Sequence, residues 1–456
     1  MPTRRSFLAA SAASAATLAA CGFADGQPND EKKSRSKSVP STQSKKLKVG
    51  LIGVNGRGWS HVESFGKLPN AEVVAVCDVD TTSLVKAARY FPTVPAFVSA
   101  KSLIAVPGLE AVCICVPDHN HATLTAAALH AGKHVYCEKP LTHTIAESRV
   151  IAKLAAETGL VTQTGVQNHS ASDSYRRTVE LIHSGAIGPV HEVHIWHNRV
   201  RRPLSDEFAP IPAALNYDLW IGPQATRPFR KSYHPYSWRH WWDFGNAELG
   251  DQSSHFLDLV FWCLGLTHAT KVSAQSGEAV RPDIVCDHIT AQVEFPARTT
   301  EQGDQPPVKL YWYDNPQKPP DIDKWNLPAK SESSKGTSLH DEGIMFIGEK
   351  GMLCTNYTER ALLPQEKFKD FTPPPQTLGP ARSHQGNFVD ACLKNDPKAA
   401  GAPFDYGALL AEVPMLCTIA YRAGKTLEWD WQNMKFPNAP EADKFLSYQY
   451  REGWTL

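Results

Sequence analysis

The 456 residues carry 47 Lys and Arg against 47 Asp and Glu, and this balance argues against a surface built for nucleic acid. Hydrophobic residues make up 42% of the chain, enough to bury a large core spread over two or three domains. No apolar run reaches the roughly 20 residues that a membrane-spanning helix needs.

At the N-terminus, Thr3-Arg4-Arg5-Ser6-Phe7-Leu8 precedes an Ala-rich run that ends at Leu18-Ala19-Ala20-Cys21-Gly22. The pattern resembles a twin-arginine export signal closed by a lipobox, with Cys21 the residue to be lipidated. Residues 1–23 then form an address, and 24–45 a polar linker too poor in apolar residues to fold. This reading places the mature protein in the periplasm or cell envelope, with membrane contact only through a lipid on Cys21. The chain has ten Cys, but no Cys-x-x-Cys pair and no metal-type Cys/His spacing. Cys77, Cys113, Cys115 and Cys137 fall in or at the end of apolar strand-like runs, as buried thiols do, so neither a disulfide framework nor a metal is expected.

From Lys46 the pattern alternates between strand and helix. The branched run 46–54 leads into Gly53-Val54-Asn55-Gly56-Arg57-Gly58, close to G-x-G-x-x-G but with Asn55 at the second glycine. Asn tolerates a left-handed backbone and Gly56 follows, so the turn can still form. A second strand, 73–78, ends in Asp78, where a ribose hydroxyl would be bound. Strands at 96–98, 111–116, 134–137 and 160–166, with helices at 82–90, 101–105, 121–131 and 143–158, complete a six-strand parallel sheet with right-handed crossovers. Val116-Pro117-Asp118-His119-Asn120-His121 follows the fourth strand, and Ala131-Gly132-Lys133-His134-Val135-Tyr136-Cys137-Glu138-Lys139-Pro140 spans the fifth. Ligands collect at the carboxyl ends of such strands, so Lys139 points at whatever the sheet binds.

This order of motifs resembles the Gfo/Idh/MocA oxidoreductase family, over nearly all of residues 46–435. The resemblance implies a Rossmann-type parallel-sheet domain for NAD (46–168). It implies a second domain (169–435) with an open-faced, mostly antiparallel sheet, helices on one face and the substrate pocket. The fold class is thus α/β plus α+β. The resemblance also makes Gly53, Asn55, Gly56, Arg57, Gly58, Asp78, Pro117, Asn120, His121, Glu138, Lys139 and Gln167 cofactor-binding residues, with Lys139 orienting the reacting hydroxyl.

The second half fits that plan. A helix at 172–184 precedes an alternating strand at 190–197, with further strands at 270–276, 287–295, 307–313 and 343–347. Segments 296–306, 314–340 and 364–381 read as long loops, 406–423 as a helix, and 436–456 as an extended tail. Between the halves, Tyr217, Trp220, Phe229, Tyr233, Tyr236, Trp238, Trp241, Trp242 and Phe244 are interleaved with prolines, which favours a loop over a core element. Flat rings there suit stacking on a sugar, so Tyr236, Trp238, Trp241 and Trp242, with Asn168 and Asp258, are the candidate substrate residues. In Gly250-Asp251-Gln252-Ser253-Ser254-His255-Phe256-Leu257-Asp258, positions 251, 255 and 258 share one helix face. The family's Asp-x-x-x-His motif matches there and implies His255 as general acid/base near neutrality, helped by Asp251. The expected function is NAD(H)-dependent hydride transfer at a hydroxyl-bearing carbon of a sugar or polyol, with tightly held cofactor. Redox-neutral glycoside cleavage or epimerisation is the alternative, and a non-catalytic carbohydrate-binding lipoprotein is the rival from another class. Whether the protein is a homo-oligomer is left open.

Overall fold

The computed structural model describes residues 45–199, 205–330 and 336–456. The twin-arginine motif and Cys21 lie outside these residues. Short runs of branched and apolar residues form the six parallel strands β1 (Leu47–Ile52), β2 (Ala71–Cys77), β3 (Ala96–Phe97), β4 (Ala111–Ile114), β5 (His134–Cys137) and β6 (Thr162–Thr164), in the order β3-β2-β1-β4-β5-β6. The chain order reverses between β1 and β4, and such a switch opens a crevice at the carboxyl ends of those two strands. Crossovers are made by α1 (Arg57–Lys67), α2 (Thr81–Tyr90), α3 (Ala100–Ile104), α4 (His121–His130) and α5 (Ile145–Thr158).

After the single-turn α6 (Asn168–Ala171) and the three-turn helix α7 (Asp173–His183), the chain enters the second sheet at β7 (Val190–Trp196). An arm containing α8 (Tyr217–Ile221) leads to the long α9 (Ala247–Leu264). The remaining strands are β8 (Lys271–Gln275), β9 (Thr290–Phe295), the side hairpin β10 (Arg298–Thr300) and β11 (Gly303–Gln305), β12 (Val308–Tyr313), β13 (Gly343–Gly348), β14 (Gly351–Thr355) and β15 (Arg360–Leu363). Helices α10 (His384–Lys394) and α11 (Phe404–Ala423) precede β16 (Leu427–Glu428). The eight-stranded sheet runs β15-β14-β13-β7-β12-β9-β8-β16 and is antiparallel except between β7 and β12.

One face of this sheet packs on α9 and α11, and the two sheets share a continuous core that includes Ile114 and Val135 from one and Val193 and Val293 from the other. The opposite face is less open than expected. Ile322, Trp325, Leu327 and Leu339, from the segment read as a long loop, pack over Trp196, Tyr313, Met345 and Cys354. One further reading needs correction and two regions not assigned from sequence are ordered elements. The segment 296–306 holds the β10–β11 hairpin, β14 and β15 extend the sheet beyond 343–348, and α10 covers the first sheet beside α1 with Phe388 and Val389. All nine described cysteines are free of disulfides, and eight of them are buried, as the sequence led us to expect.

The C-terminal tail is tied down by one carboxylate. Glu147 closes the capping box of α5 by accepting from the main-chain N–H of His143 (3.0 Å) and Thr144 (2.9 Å). Its other oxygen accepts from the hydroxyls of Tyr450 (2.6 Å) and Tyr448 (3.1 Å). Glu147→Ala removes the cap and strands both hydroxyls, so it should cost about 2–4 kcal/mol, against about 1 kcal/mol for Thr144→Ala. Equal losses for the two variants in thermal unfolding would show that the tail contacts contribute nothing.

Candidate active site

The crevice is walled first by the β1–α1 turn. Gly53 sits at φ 81°, and a Cβ there would lie 2.0 Å from the carbonyl oxygen of Cys115, so only glycine fits. Gly53 and Gly56 take the left-handed positions of the loop; Asn55 does not. The Asn55 side chain instead accepts from the N–H of Gly56 (2.8 Å). Helix α1 has no side-chain cap and no acid in its first turn, which leaves its N-terminus suited to a phosphate, with Arg57 and Gly58 at its opening positions. At the end of β2, Asp78 accepts from the N–H of Val54 (2.9 Å) and of Asp80 (2.9 Å), so its carboxylate is fixed beside the turn. These residues fit a dinucleotide.

Beyond β5 stand two acid-centred clusters. Glu138 is buried and accepts from His61 Nε2 (2.8 Å), Gln167 Nε2 (2.7 Å) and Arg57 Nε (3.2 Å). Burial works to raise its carboxyl, but the His61 bond, with His61, Arg57 and Lys139 as charges, holds it below the ordinary range. Next to it, Lys139 Nζ donates to Asp251 Oδ1 (2.6 Å) and to the Asp251 main-chain oxygen (2.7 Å). Gln252 Nε2 donates to Asp251 Oδ2 (2.9 Å), and Arg239 Nε lies 3.3 Å from Oδ1. Burial again pushes upward, yet Lys139 and then Arg239 hold the Asp251 carboxyl well below the ordinary range.

His255 lies one turn further along α9. It is half-buried, and its imidazole has no hydrogen-bond partner among the described residues. The expectation that it titrates near neutrality is corrected here. Burial and the neighbouring Lys139 ammonium push its pKa down to about 3, so the ring is neutral. The group that does sit near neutrality is Asp118, whose pKa burial raises to about 7 against the pull of Arg239.

Several expected ligand-binding side chains are committed to protein instead. Asn120 Nδ2 donates to the carbonyl of Trp220 (2.8 Å), and buried His121 lies between the carbonyls of Pro140 (2.7 Å) and Val116 (2.9 Å). The Gln167 amide nitrogen donates to Glu138 and to the Tyr136 hydroxyl (3.0 Å). Pro117 opens the short turn before α4, and Asn168, half-buried, opens α6. Asp258 is fully buried and bound by His169 Nδ1 (2.7 Å) and the Tyr406 hydroxyl (2.9 Å), so it braces α9 rather than meeting substrate.

The aromatic arm is a small core of its own, contrary to expectation. Trp238 and Trp241 pack with Trp220, Tyr233 and Phe244, while Trp242 enters the main core. Trp241 donates its indole N–H to Ser232 Oγ (3.1 Å) and Trp242 donates to the carbonyl of Arg281 (3.2 Å), so neither offers a face to a sugar. Tyr236 alone of the four is open, at 64% exposure. Sequence reasoning missed His61 and Arg239. His61 could have been found, since it follows Arg57 by one helical turn and both reach Glu138; the placement of Arg239 depends on the arm's path.

Fold and site together define an NAD-binding Rossmann domain joined to a second α/β domain. Residues 47–166 match the oxidoreductase family's NAD-binding Rossmann fold, and residues 194–292 match the family's C-terminal alpha/beta domain, both of Gfo/Idh/MocA type. The two matches together cover the first sheet's domain and part of the second domain. The chain is 35% identical over 159 residues to an inositol 2-dehydrogenase of Pseudomonas savastanoi pv. phaseolicola, covering 34% of this chain and 47% of that protein. It is also 35% identical over 158 residues to a glycosyl hydrolase family 109 protein of Shewanella sp. (strain ANA-3), covering 32% of this chain and 35% of that one. The chain thus spans about half or less of the length of these relatives. The crystal structure of scyllo-inositol dehydrogenase from Lactobacillus casei with NAD(H) and scyllo-inositol shares the fold, with a TM-score of 0.54 at 18% identity over 84% of this chain and 99% of that one.

Two expectations follow. Lys139→Ala and His255→Ala should each lower turnover by about 10²–10⁴-fold while leaving cofactor binding and the fold near wild type, because Arg239 and Gln252 still hold Asp251. Near-wild-type turnover in either variant would remove that residue from the chemistry. Burial also lowers His119, His121, His255 and His384, to about 3, 4, 3 and 4. The unfolded chain protonates these histidines near pH 6.5 while the folded protein does not, so stability is lost as pH falls from about 6.5 toward 4. Asp118, Asp78 and Glu342, whose carboxyls burial raises, oppose this, while the likewise lowered His134, His143 and His194 add to it. Denaturant unfolding at pH 7 and pH 5 checks it, and equal stability at both would contradict it.

Proposed function

We propose that this protein oxidises a hydroxyl-bearing carbon of a sugar or polyol, with NAD as hydride acceptor. The observation that carries the reading is the Lys139–Asp251 contact of 2.6 Å, with the unpartnered His255 one turn away on the same helix. The nicotinamide supplies the acceptor for the hydride. Lys139 steadies negative charge on the substrate oxygen as the C–H bond breaks, Asp251 keeps the ammonium in place, and neutral His255 takes the hydroxyl proton. Loss of the hydroxyl proton and of the hydride from the same carbon would leave a carbonyl. An arrangement of this kind favours catalysis over mere carbohydrate binding.

Export through Arg4 and Arg5 is part of the same proposal. Outside the cytoplasm the cofactor must be carried out in place and reoxidised there by a second carbonyl-bearing substrate. Slow release is supported by the arm, whose His234 Nε2 meets Asp80 Oδ2 (2.9 Å), and whose Asn216 N–H donates to the carbonyl of Val79 (2.8 Å) at the end of β2. The tail then clasps the arm through Arg451, which donates to Asp218 and Gly222.

The test is the absorbance of the purified protein, first for bound NAD(H), then during a screen of monosaccharides, polyols and glycosides. Reduction of bound NAD by a sugar or polyol is expected; no spectral change with any of them would end the redox reading. In a titration of cofactor-free protein, NAD should bind more tightly than NADP, because the fixed Asp78 carboxylate accepts from a ribose hydroxyl and repels a 2′-phosphate. The opposite preference would show that Asp78 does not read the ribose.

A further inference from the structure

The arm delivers a cation to the reacting end of the crevice whose bonding is unfinished. Arg239 lies with its guanidinium 4.0 Å from the ring centre of Trp238 and 5.1 Å from that of Tyr236. Its Nε is 3.3 Å from Asp251 Oδ1, near enough for an ion pair but not aligned as a hydrogen bond, and that nitrogen is buried. No described residue accepts a hydrogen bond from its two terminal nitrogens. Arginines with structural duties in the same region behave otherwise. Arg451 places all three nitrogens on Asp218 and Gly222, and Arg227 pairs with Asp243. The Arg239 backbone is also tightly seated, since a Cβ on Gly245 would come within 2.9 Å of its Cα. The side chain is therefore positioned, flat and stacked, with donors left over.

Charge points the same way. Lys139 and Arg239 both converge on the single Asp251 carboxylate. Glu138 is committed to His61, Arg57 and Gln167. Asp118, the remaining acid near Arg239, is buried, and burial raises its pKa to about 7, so it is only partly ionised at neutral pH. Between half and one positive charge is left without a partner beside the reacting group, the larger figure when Asp118 is protonated. A guanidinium fork pairs with a carboxylate in two parallel bonds, which a lone ammonium cannot do.

Resting on the redox reading above, we propose that the substrate is a sugar acid, and that Arg239 receives its carboxylate while Lys139 and His255 address the hydroxyl being oxidised. A single carboxylate comes closest to that surplus charge; a phosphate, carrying about −1.5 to −2 at pH 7, would exceed it.

The experiment follows reduction of the bound cofactor at constant ionic strength with glucuronate and gluconate, set against glucose, glucitol, myo-inositol and glucose 6-phosphate. Each acid should exceed its neutral counterpart by about tenfold or more in kcat/KM, the worth of a hydrogen-bonded charge pair. Arg239→Gln should raise KM for the acids by about tenfold more than it raises KM for neutral polyols, with Arg239→Lys in between. Neutral polyols preferred by the wild type, glucose 6-phosphate preferred over both, or Arg239→Gln acting alike on acids and neutrals would each overturn the proposal and leave the oxidoreductase reading standing. Reduction by none of the compounds would remove both. Should Arg239→Gln not fold, fluorescence of the bound cofactor in wild-type protein decides the matter: gluconate should bind more tightly than glucitol and weaken with salt, and equal binding would overturn the proposal.

Discussion

The site depends on one buried charge contact, that between Lys139 and Asp251. Each side chain is only 10% exposed, and taking two charges out of water is costly unless their geometry and remaining bonds are good. Lys139 follows β5 of the first sheet, while Asp251 lies in α9, which packs against the second. The contact forms only when both halves are folded and correctly placed. The shared core beneath it, to which α5, α9 and α11 all contribute, supplies that rigidity.

The arm over residues 205–246 explains how so proline-rich a segment can hold a precise position. Its aromatic rings bury one another, as in the stacked pair Trp220–Tyr233 at 5.8 Å, so it carries its own apolar core with α8 as its one α-helix among the described residues. It is then fastened by polar bonds to the ends of β2 and β4 and clasped by the tail. The same arm brings Arg239 to Asp251. The contacts at the end of β2 and the placement of Arg239 beside Asp251 thus depend on one structural element.

Environment assigns different states to chemically similar groups around this point. Asp251 and Asp118 both lie near Arg239, yet Asp251 has Lys139 in direct contact and stays ionised, while Asp118 lacks such a bond and burial dominates. His255 is kept neutral by burial and by Lys139, which leaves its ring free to accept a proton while weakening it as a base. Two acids and a histidine are separated into roles by their neighbours, not by intrinsic pKa.

The sequence by itself determined the first sheet strand by strand, because parallel strands buried on both faces read as short branched apolar runs between helical repeats. It also marked as candidates for the chemistry Gly53, Asp78 and Lys139, each in a local motif at an element's end, and Asp251 and His255, which share one face inside α9. Only the tertiary structure decided that Trp241 and Trp242 are core, that Asp258 is a brace held by His169 and Tyr406, and that Asn120 and His121 bind main-chain carbonyls. It also decided that 314–340 covers a sheet face and that Arg239, 12 residues before Asp251 in sequence, meets its carboxylate. The physical reason is range. Periodicity and turn chemistry report the conformation of a few neighbouring residues, whereas burial, pKa and side-chain partners are set by elements distant in the chain.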